Sequence, residues 1–196
     1  MKNTIDYYNE HASQFVGSTV SVDLSGMQDL FLSLIPQEGM ILDFGCGSGR
    51  DSRYFMEQGR TVEAVDGSSA MCEAARQLTG LPVRQMLFQQ LDEKEKYDGI
   101  WACSSILHLP KSELHPVLEK MAKALKPGGV IYTSFKYSEF EGMRNDRYFT
   151  DFTESSFRQF MKVKELSIEK EWISGDARPG RGDEKWLNLI LRKNGK

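Results

Sequence analysis

The chain has 196 residues, 40% of them hydrophobic and 27% charged, with a formal net charge of -3. One domain commonly takes roughly 100–200 residues, so the length suits a single core with no separate substrate domain. This balance excludes a disordered chain, and the net charge excludes the positive overall field that draws proteins onto nucleic acid.

The opening residues, Met1-Lys2-Asn3-Thr4-Ile5-Asp6, lead into no signal-peptide core, and no run approaches the roughly 18 apolar residues of a membrane span. The expectation is a cytoplasmic protein without membrane contact. Thr4–Phe15 and Ser25–Ile35 read as two helices, forming a lid within residues 1–38. From Met40 onward short apolar runs alternate with segments of helical period, the pattern of βαβ units and a mostly parallel sheet. Seven strands are expected: Met40–Phe44, Thr61–Val65, Pro82–Leu87, Gly99–Cys103, Val130–Phe135, Leu166–Ile173 and Trp186–Leu191. Helices are expected over Arg50–Gln58, Ser69–Leu78 and Ser112–Leu125, the last stopped by Lys126-Pro127-Gly128-Gly129. Residues 174–185 are polar and glycine-rich and read as a loop. The whole of 1–196 is one domain: the lid, a cofactor-binding core over 40–136, and acceptor-side elements with the last two strands over 137–196. Cys46, Cys72 and Cys103 form no Cys-x-x-Cys pair, and His11, His108 and His115 lack ligand spacing, so neither disulfide nor metal is expected.

The most informative stretch is Ile41-Leu42-Asp43-Phe44-Gly45-Cys46-Gly47-Ser48-Gly49-Arg50-Asp51. A buried strand and an acid are followed by three glycines at alternate positions opening a helix. Gly45, Gly47 and Gly49 permit a tight turn and close backbone approach, and helix N–H groups then face an anion. Asp43 would meet an ammonium group, which points to an amino-acid-bearing cofactor with its carboxylate at the helix. Asp66, about 20 residues after Asp43, stands where an acid receives ribose hydroxyls. A dinucleotide fingerprint needs glycine at the sixth position from Gly45, and that position is Arg50, which argues against a nicotinamide dehydrogenase.

These residues resemble the class I S-adenosylmethionine-dependent methyltransferases: Leu42–Gly49 matches their first motif, and Asp66 their ribose-binding acid. Tyr97-Asp98-Gly99-Ile100-Trp101 matches their fourth strand and Leu125–Gly129 the turn before their fifth. The resemblance implies a Rossmann-like three-layer α/β sandwich. Its seven-stranded sheet would have order 3-2-1-4-5-7-6, with strand seven antiparallel. It also implies S-adenosylmethionine as cofactor and S-adenosylhomocysteine as product. Gly45, Cys46, Gly47, Gly49, Asp43, Asp66, Gly67 and Cys103 would surround the cofactor, with Leu87 and Phe88 near adenine.

Methyl transfer is an in-line displacement, in which positioning can contribute roughly 7–11 kcal/mol at the limit. The fourth strand ends Ala102-Cys103-Ser104-Ser105-Ile106-Leu107-His108-Leu109-Pro110, without the Asn/Asp-Pro-Pro-aromatic motif of exocyclic-amine methylation or the Pro-Cys pair of carbon-5 cytosine methylation. Oxygen, sulfur and related small acceptors remain. His108 is the candidate general base. Tyr8 and Lys136, Arg147, Arg178 and Arg181 are candidate acceptor-binding residues, the last two as an anion clamp on a glycine-rich loop. Two branches fit: small tellurite-resistance-type and thiol methyltransferases, and wobble-uridine carboxymethyl tRNA methyltransferases acting with a partner. A non-catalytic S-adenosylmethionine-binding protein is the third alternative, disfavoured by the intact motif.

Overall fold

The computed structural model describes residues 4–195. Met1–Asn3, which belong to the opening segment and lid read above, and Lys196 lie outside the described residues. Nine strands and seven α-helices follow one another as α1 (Thr4–Glu10), α2 (Ala12–Thr19), α3 (Ser25–Leu32), β1 (Met40–Phe44), α4 (Arg50–Glu57), β2 (Thr61–Asp66) and α5 (Ser69–Thr79). Then come β3 (Arg84–Gln85), β4 (Tyr97–Ala102), α6 (Lys111–Ala124), β5 (Leu125–Lys136), β6 (Glu141–Arg144) and β7 (Arg147–Thr150). The chain closes with α7 (Glu154–Phe160), β8 (Leu166–Gly175) and β9 (Lys185–Lys193).

Seven strands form one sheet in the order β3-β2-β1-β4-β5-β9-β8. The pairs β1·β2, β1·β4, β2·β3 and β4·β5 are parallel, while β9 runs antiparallel to both β5 and β8. Counted within this sheet alone, the order is the 3-2-1-4-5-7-6 expected, with strand seven antiparallel.

Alternation along the strands sends side chains to two helical layers. Ile41, Val62, Trp101, Val130, Tyr132 and Ile190 face α3 and α4, where Phe31 and Phe55 pack edge-on against Trp101 at centroid distances of 5.2 and 5.3 Å. Leu42, Phe44, Ile100, Ala102, Ile131, Leu187, Leu189 and Leu191 face α6 and α7. A Cβ on Gly99 would lie 2.5 Å from Phe31 Cζ, so the absence of a side chain there lets α3 seat on the sheet. Gly99→Ala should overpack this contact at a cost of about 1–3 kcal/mol. For a chain of this size that lowers Tm by roughly 2–12 °C, readable by thermal circular dichroism; an unchanged Tm would show that Phe31 can move aside.

Several boundaries differ from the sequence reading. His11 interrupts the first helix, which becomes α1 and α2. Helix α3 packs Phe31 and Leu32 into the layered core and places Met27 at the cavity described below. Lys126-Pro127-Gly128-Gly129 lies inside β5 as an irregularity: Tyr97 pairs with Leu125 and Gly99 with Val130, so the residues between them bulge, with Gly128 at φ 77°. The hairpin β6–β7 and helix α7 are additional elements. The hairpin turns on Asn145 and Asp146, both left-handed (φ 49° and 59°), the geometry of a two-residue turn. Helix α7 starts at Thr153, whose Oγ1 accepts the Ser156 N–H at 3.2 Å. Among the described residues, no helix is long and apolar enough to cross a membrane, and no group of three or more His, Cys, Asp or Glu side chains could hold a metal ion.

Candidate active site

The carboxyl ends of β1, β2, β4 and β5 open into one cavity of about 690 Å³, the place where open α/β sheets take ligands. Its first wall is the loop after β1. Gly45, Gly47 and Gly49 all have positive φ (86°, 53° and 82°). At Gly45 a side chain is doubly excluded, because a Cβ would lie 2.5 Å from Ser105 Cβ. Gly49 also has a packing role. It does not line the cavity, and a Cβ there would lie 3.0 Å from Ala75 Cα, so glycine lets the start of α4 sit close against α5.

Asp66, at the end of β2, accepts the Gly47 N–H at 2.9 Å on one carboxylate oxygen and the Ser68 N–H at 2.8 Å on the other. It therefore ties the glycine loop to the start of α5 and still presents itself to the cavity. Burial pushes its pKa up, opposed by the backbone N–H donors of Ser68, Gly47 and Gly67. Gly67, Leu87, Phe88, Cys46 and Cys103 also line the cavity. Phe88 is fixed edge-on against Phe44 at 4.8 Å. Burial raises the Cys46 thiol well above its usual range and lifts Cys103 to about 12, so both stay protonated and unreactive.

Asp43 does not line the cavity. It is 2% exposed, and its carboxylate accepts the Ser52 hydroxyl at 2.6 Å. Burial first, and the nearby Asp51 second, raise its pKa to about 8. Asp43 thus lies behind the loop after β1.

Arg50 and Asp51, read above only as part of the fingerprint, are both cavity residues. Asp51 accepts from Arg50 Nε (2.8 Å) and Nη2 (2.9 Å), from Gln28 Nε2 (2.7 Å) and from Trp101 Nε1 (2.9 Å). Four donors from α3, α4 and β4 satisfy this buried carboxylate, and Arg50 also donates to Thr19 O at 3.2 Å, holding the end of α2. An arginine and an acid directly after the glycines were the available signal. Ser104, Ser134, Asn188 and Trp186 complete the wall toward β5 and β9. Nothing in the local sequence around them marks them.

Helix α1 crosses the cavity as a strap. Asn9 Oδ1 accepts the Ser68 hydroxyl at 2.7 Å on one side, and Thr4 Oγ1 accepts the Tyr148 N–H at 2.9 Å on the other. Tyr8, beneath the strap, donates its hydroxyl to His108 Nε2 at 2.9 Å. His108 Nδ1 lies 2.7 Å from Tyr148 O, an acceptor only, so Nδ1 carries the ring proton and Nε2 is the nitrogen that accepts the Tyr8 hydroxyl. Burial, reinforced by the charge of Arg147 and opposed by the bond to Tyr148 O, lowers the His108 pKa to about 4. The imidazole is neutral at pH 7, with Nε2 aimed into the cavity. Tyr7 stacks on His11 instead, at 4.4 Å.

The cations lie on the far wall, but the clamp does not stand free. Arg178 is forked onto Asp176 (2.9 and 2.5 Å), Arg181 pairs with Glu184, and Lys136 pairs with Glu184 and, at 3.5 Å, with Asp176. The Asp176 side chain is 3% exposed, and although burial raises its pKa, the Arg178 and Trp186 donors hold it well below the carboxylate range. Three cations are thus largely answered by two carboxylates, and the anion clamp expected of Arg178 and Arg181 is occupied from within.

A glycine-rich turn at the end of β1, an acid at the end of β2 and a seven-stranded sheet with this order define the class I methyltransferase architecture. Residues 41–129, a little under half of the chain, match the family described as "Methyltransferase domain". Malonyl-[acyl-carrier protein] O-methyltransferase of Salmonella typhimurium is 30% identical over 109 residues, 53% of this chain and 42% of that protein. The chain spans about half the length, or less, of the curated relatives it matches. The Burkholderia thailandensis 1,6-didemethyltoxoflavin-N1-methyltransferase, solved with 1,6-didemethyltoxoflavin and S-adenosylhomocysteine, aligns at TM-score 0.72 and 24% identity over 97% of this chain and 90% of that one. The [4+2]-cyclase SpnF aligns at TM-score 0.76 and 13% identity, over 99% and 98%. These last two likenesses are of fold, and a cyclase among them shows that the fold alone does not select a reaction.

Proposed function

We propose that the chain transfers the methyl group of S-adenosylmethionine to a small oxygen or sulfur acceptor, leaving S-adenosylhomocysteine. The observation that carries this reading is the continuity of the cavity. The glycine loop and Asp66 form one end, the Tyr8–His108 pair the other, and no protein layer divides them. The bound cofactor supplies an electrophilic methyl on a sulfonium. The residues of this chain position it: Asp66 accepts ribose hydroxyls, the amides after β1 receive the methionine carboxylate, and Leu87 and Phe88 flank adenine. The acceptor would lie in the cavity beside the Tyr8–His108 pair. Any proton on the acceptor would pass to His108 Nε2 once the acceptor displaces the Tyr8 hydroxyl from it, the tautomer being set by Tyr148 O. A neutral imidazole of low basicity suits an acceptor that is acidic or already deprotonated. The tellurite-resistance-type and thiol branch is the better fit for a net charge of -3. Esterification of a wobble-uridine carboxymethyl group would need phosphate contacts from a partner.

Calorimetric titration tests the reading. S-adenosylmethionine and S-adenosylhomocysteine should bind at micromolar concentration and NAD should not. Failure of both adenosyl ligands, or preference for NAD, refutes it.

A further inference from the structure

We infer that Arg147 is the anion anchor of the acceptor subsite: the molecule methylated carries a carboxylate or an equally compact oxyanion, which takes the Arg147 guanidinium and brings the nucleophilic atom beside His108 Nε2. This rests on the function proposed above and adds the chemical class of the acceptor.

The argument begins with the hairpin. Arg144 and Arg147 are the register pair flanking its two-residue turn, so both side chains leave the same face, each 5.2 Å from the Phe149 ring centroid. Their fates differ. Arg144 is bound to buried Asp151 at 2.7 Å. Among the described residues no carboxylate lies within ion-pair distance of Arg147, whereas Arg50, Lys136, Arg178 and Arg181, the other Lys and Arg side chains of the cavity wall, all have one. Arg147 Nε is buried without a hydrogen-bond partner, and its guanidinium lies over the rings of Tyr7 (4.6 Å) and Tyr8 (5.9 Å). A guanidinium over aromatic rings, with the Tyr8 hydroxyl as a polar neighbour and Nε unpartnered, is placed to take a planar anion, and an unmade bond at a buried donor is costly.

Spacing to the base is built in. Tyr148, the next residue, gives its carbonyl to His108 Nδ1, and the His108 ring packs on Phe149 at 4.8 Å. One short strand therefore holds the anchor and orients the base. Burial is the main cause of the low His108 pKa and Arg147 adds to it, so an anion that neutralises Arg147 removes the smaller part of that depression at Nε2. The substrate's own charge thus helps to ready the proton acceptor.

Acetate is the probe, followed through the imidazole nitrogen resonances of His108 by NMR, with acetamide as the uncharged control. The wild-type protein should show a saturable shift with millimolar acetate and none with acetamide. Arg147→Gln should weaken acetate by about tenfold or more, and Arg147→Lys, which keeps the charge without the fork, should recover part of it. No acetate shift in the wild type, an equal response to acetamide, or a response unchanged in Arg147→Gln overturns the anchor. S-adenosylhomocysteine calorimetry on the same samples separates the two ideas. Intact cofactor binding with no Arg147-dependent anion site sinks the anchor alone, whereas loss of cofactor binding in the wild type sinks the function on which it rests.

Discussion

Asp66→Ala is expected to weaken S-adenosylhomocysteine binding by roughly 100-fold. The carboxylate would lose its bonds to two ribose hydroxyls, and hydrogen bonds to a charged group contribute roughly 1.5–3 kcal/mol each, so about 3 kcal/mol is a conservative sum. The substitution also frees the Gly47 and Ser68 N–H groups, which the two carboxylate oxygens hold at 2.9 and 2.8 Å. The loop after β1 and the start of α5 then lose their common tether. Asp66→Asn keeps one acceptor oxygen and should fall between wild type and alanine. Calorimetry gives the affinities, and a cooperative thermal transition in each variant shows that the fold is retained. Wild-type affinity in Asp66→Ala would remove Asp66 from the binding site.

Asp43→Asn is expected to stabilise the unliganded protein in a pH-dependent way. The folded pKa of about 8 lies above the ordinary value of 3.8, because burial and Asp51 disfavour the charged form. Between those two values the native state holds a proton that the unfolded chain has released, so stability falls as pH rises through that window. Asparagine removes this loss while still accepting the Ser52 hydroxyl. The Tm advantage of the variant should be near zero at pH 4, grow toward pH 8 and then level off. A gain of about 1–2 kcal/mol, or roughly 2–8 °C, is expected after allowance for relaxation around the site. A difference independent of pH, or a variant less stable at pH 8, would contradict the assignment. Such a residue, destabilising in its charged form at the root of a binding loop, fits the usual exchange of stability for function.

Much of this architecture was legible from local pattern. Met40, Ile41, Leu42 and Phe44 place apolar side chains on both faces of β1 because it lies in the middle of a parallel sheet, and the three glycines that follow need positive φ whatever else surrounds them. The hairpin was missed because its turn is Asn145-Asp146 and carries no glycine, and because its strands are four residues each and rich in charge. Helix α7 is only seven residues long, too short for a helical period to stand out.

Side-chain partnership is a different matter. Arg178 and Arg181, three apart in a glycine-rich loop, look the same in sequence whether free or paired. Asp176 and Glu184 decide it, once the loop between β8 and β9 folds back on itself. Tyr8 meets His108 across 100 positions, and Trp101 meets Asp51 across 50. Propensity, periodicity and glycine geometry act over a few residues, so the sequence by itself determined the βα alternation, the loop after β1 and the acid at Asp66. Burial and charge pairing are sums over residues brought together from all along the chain. Only the tertiary structure could therefore decide that Asp43 is sealed behind the loop, that His108 presents Nε2, and that Arg147 keeps its charge unanswered.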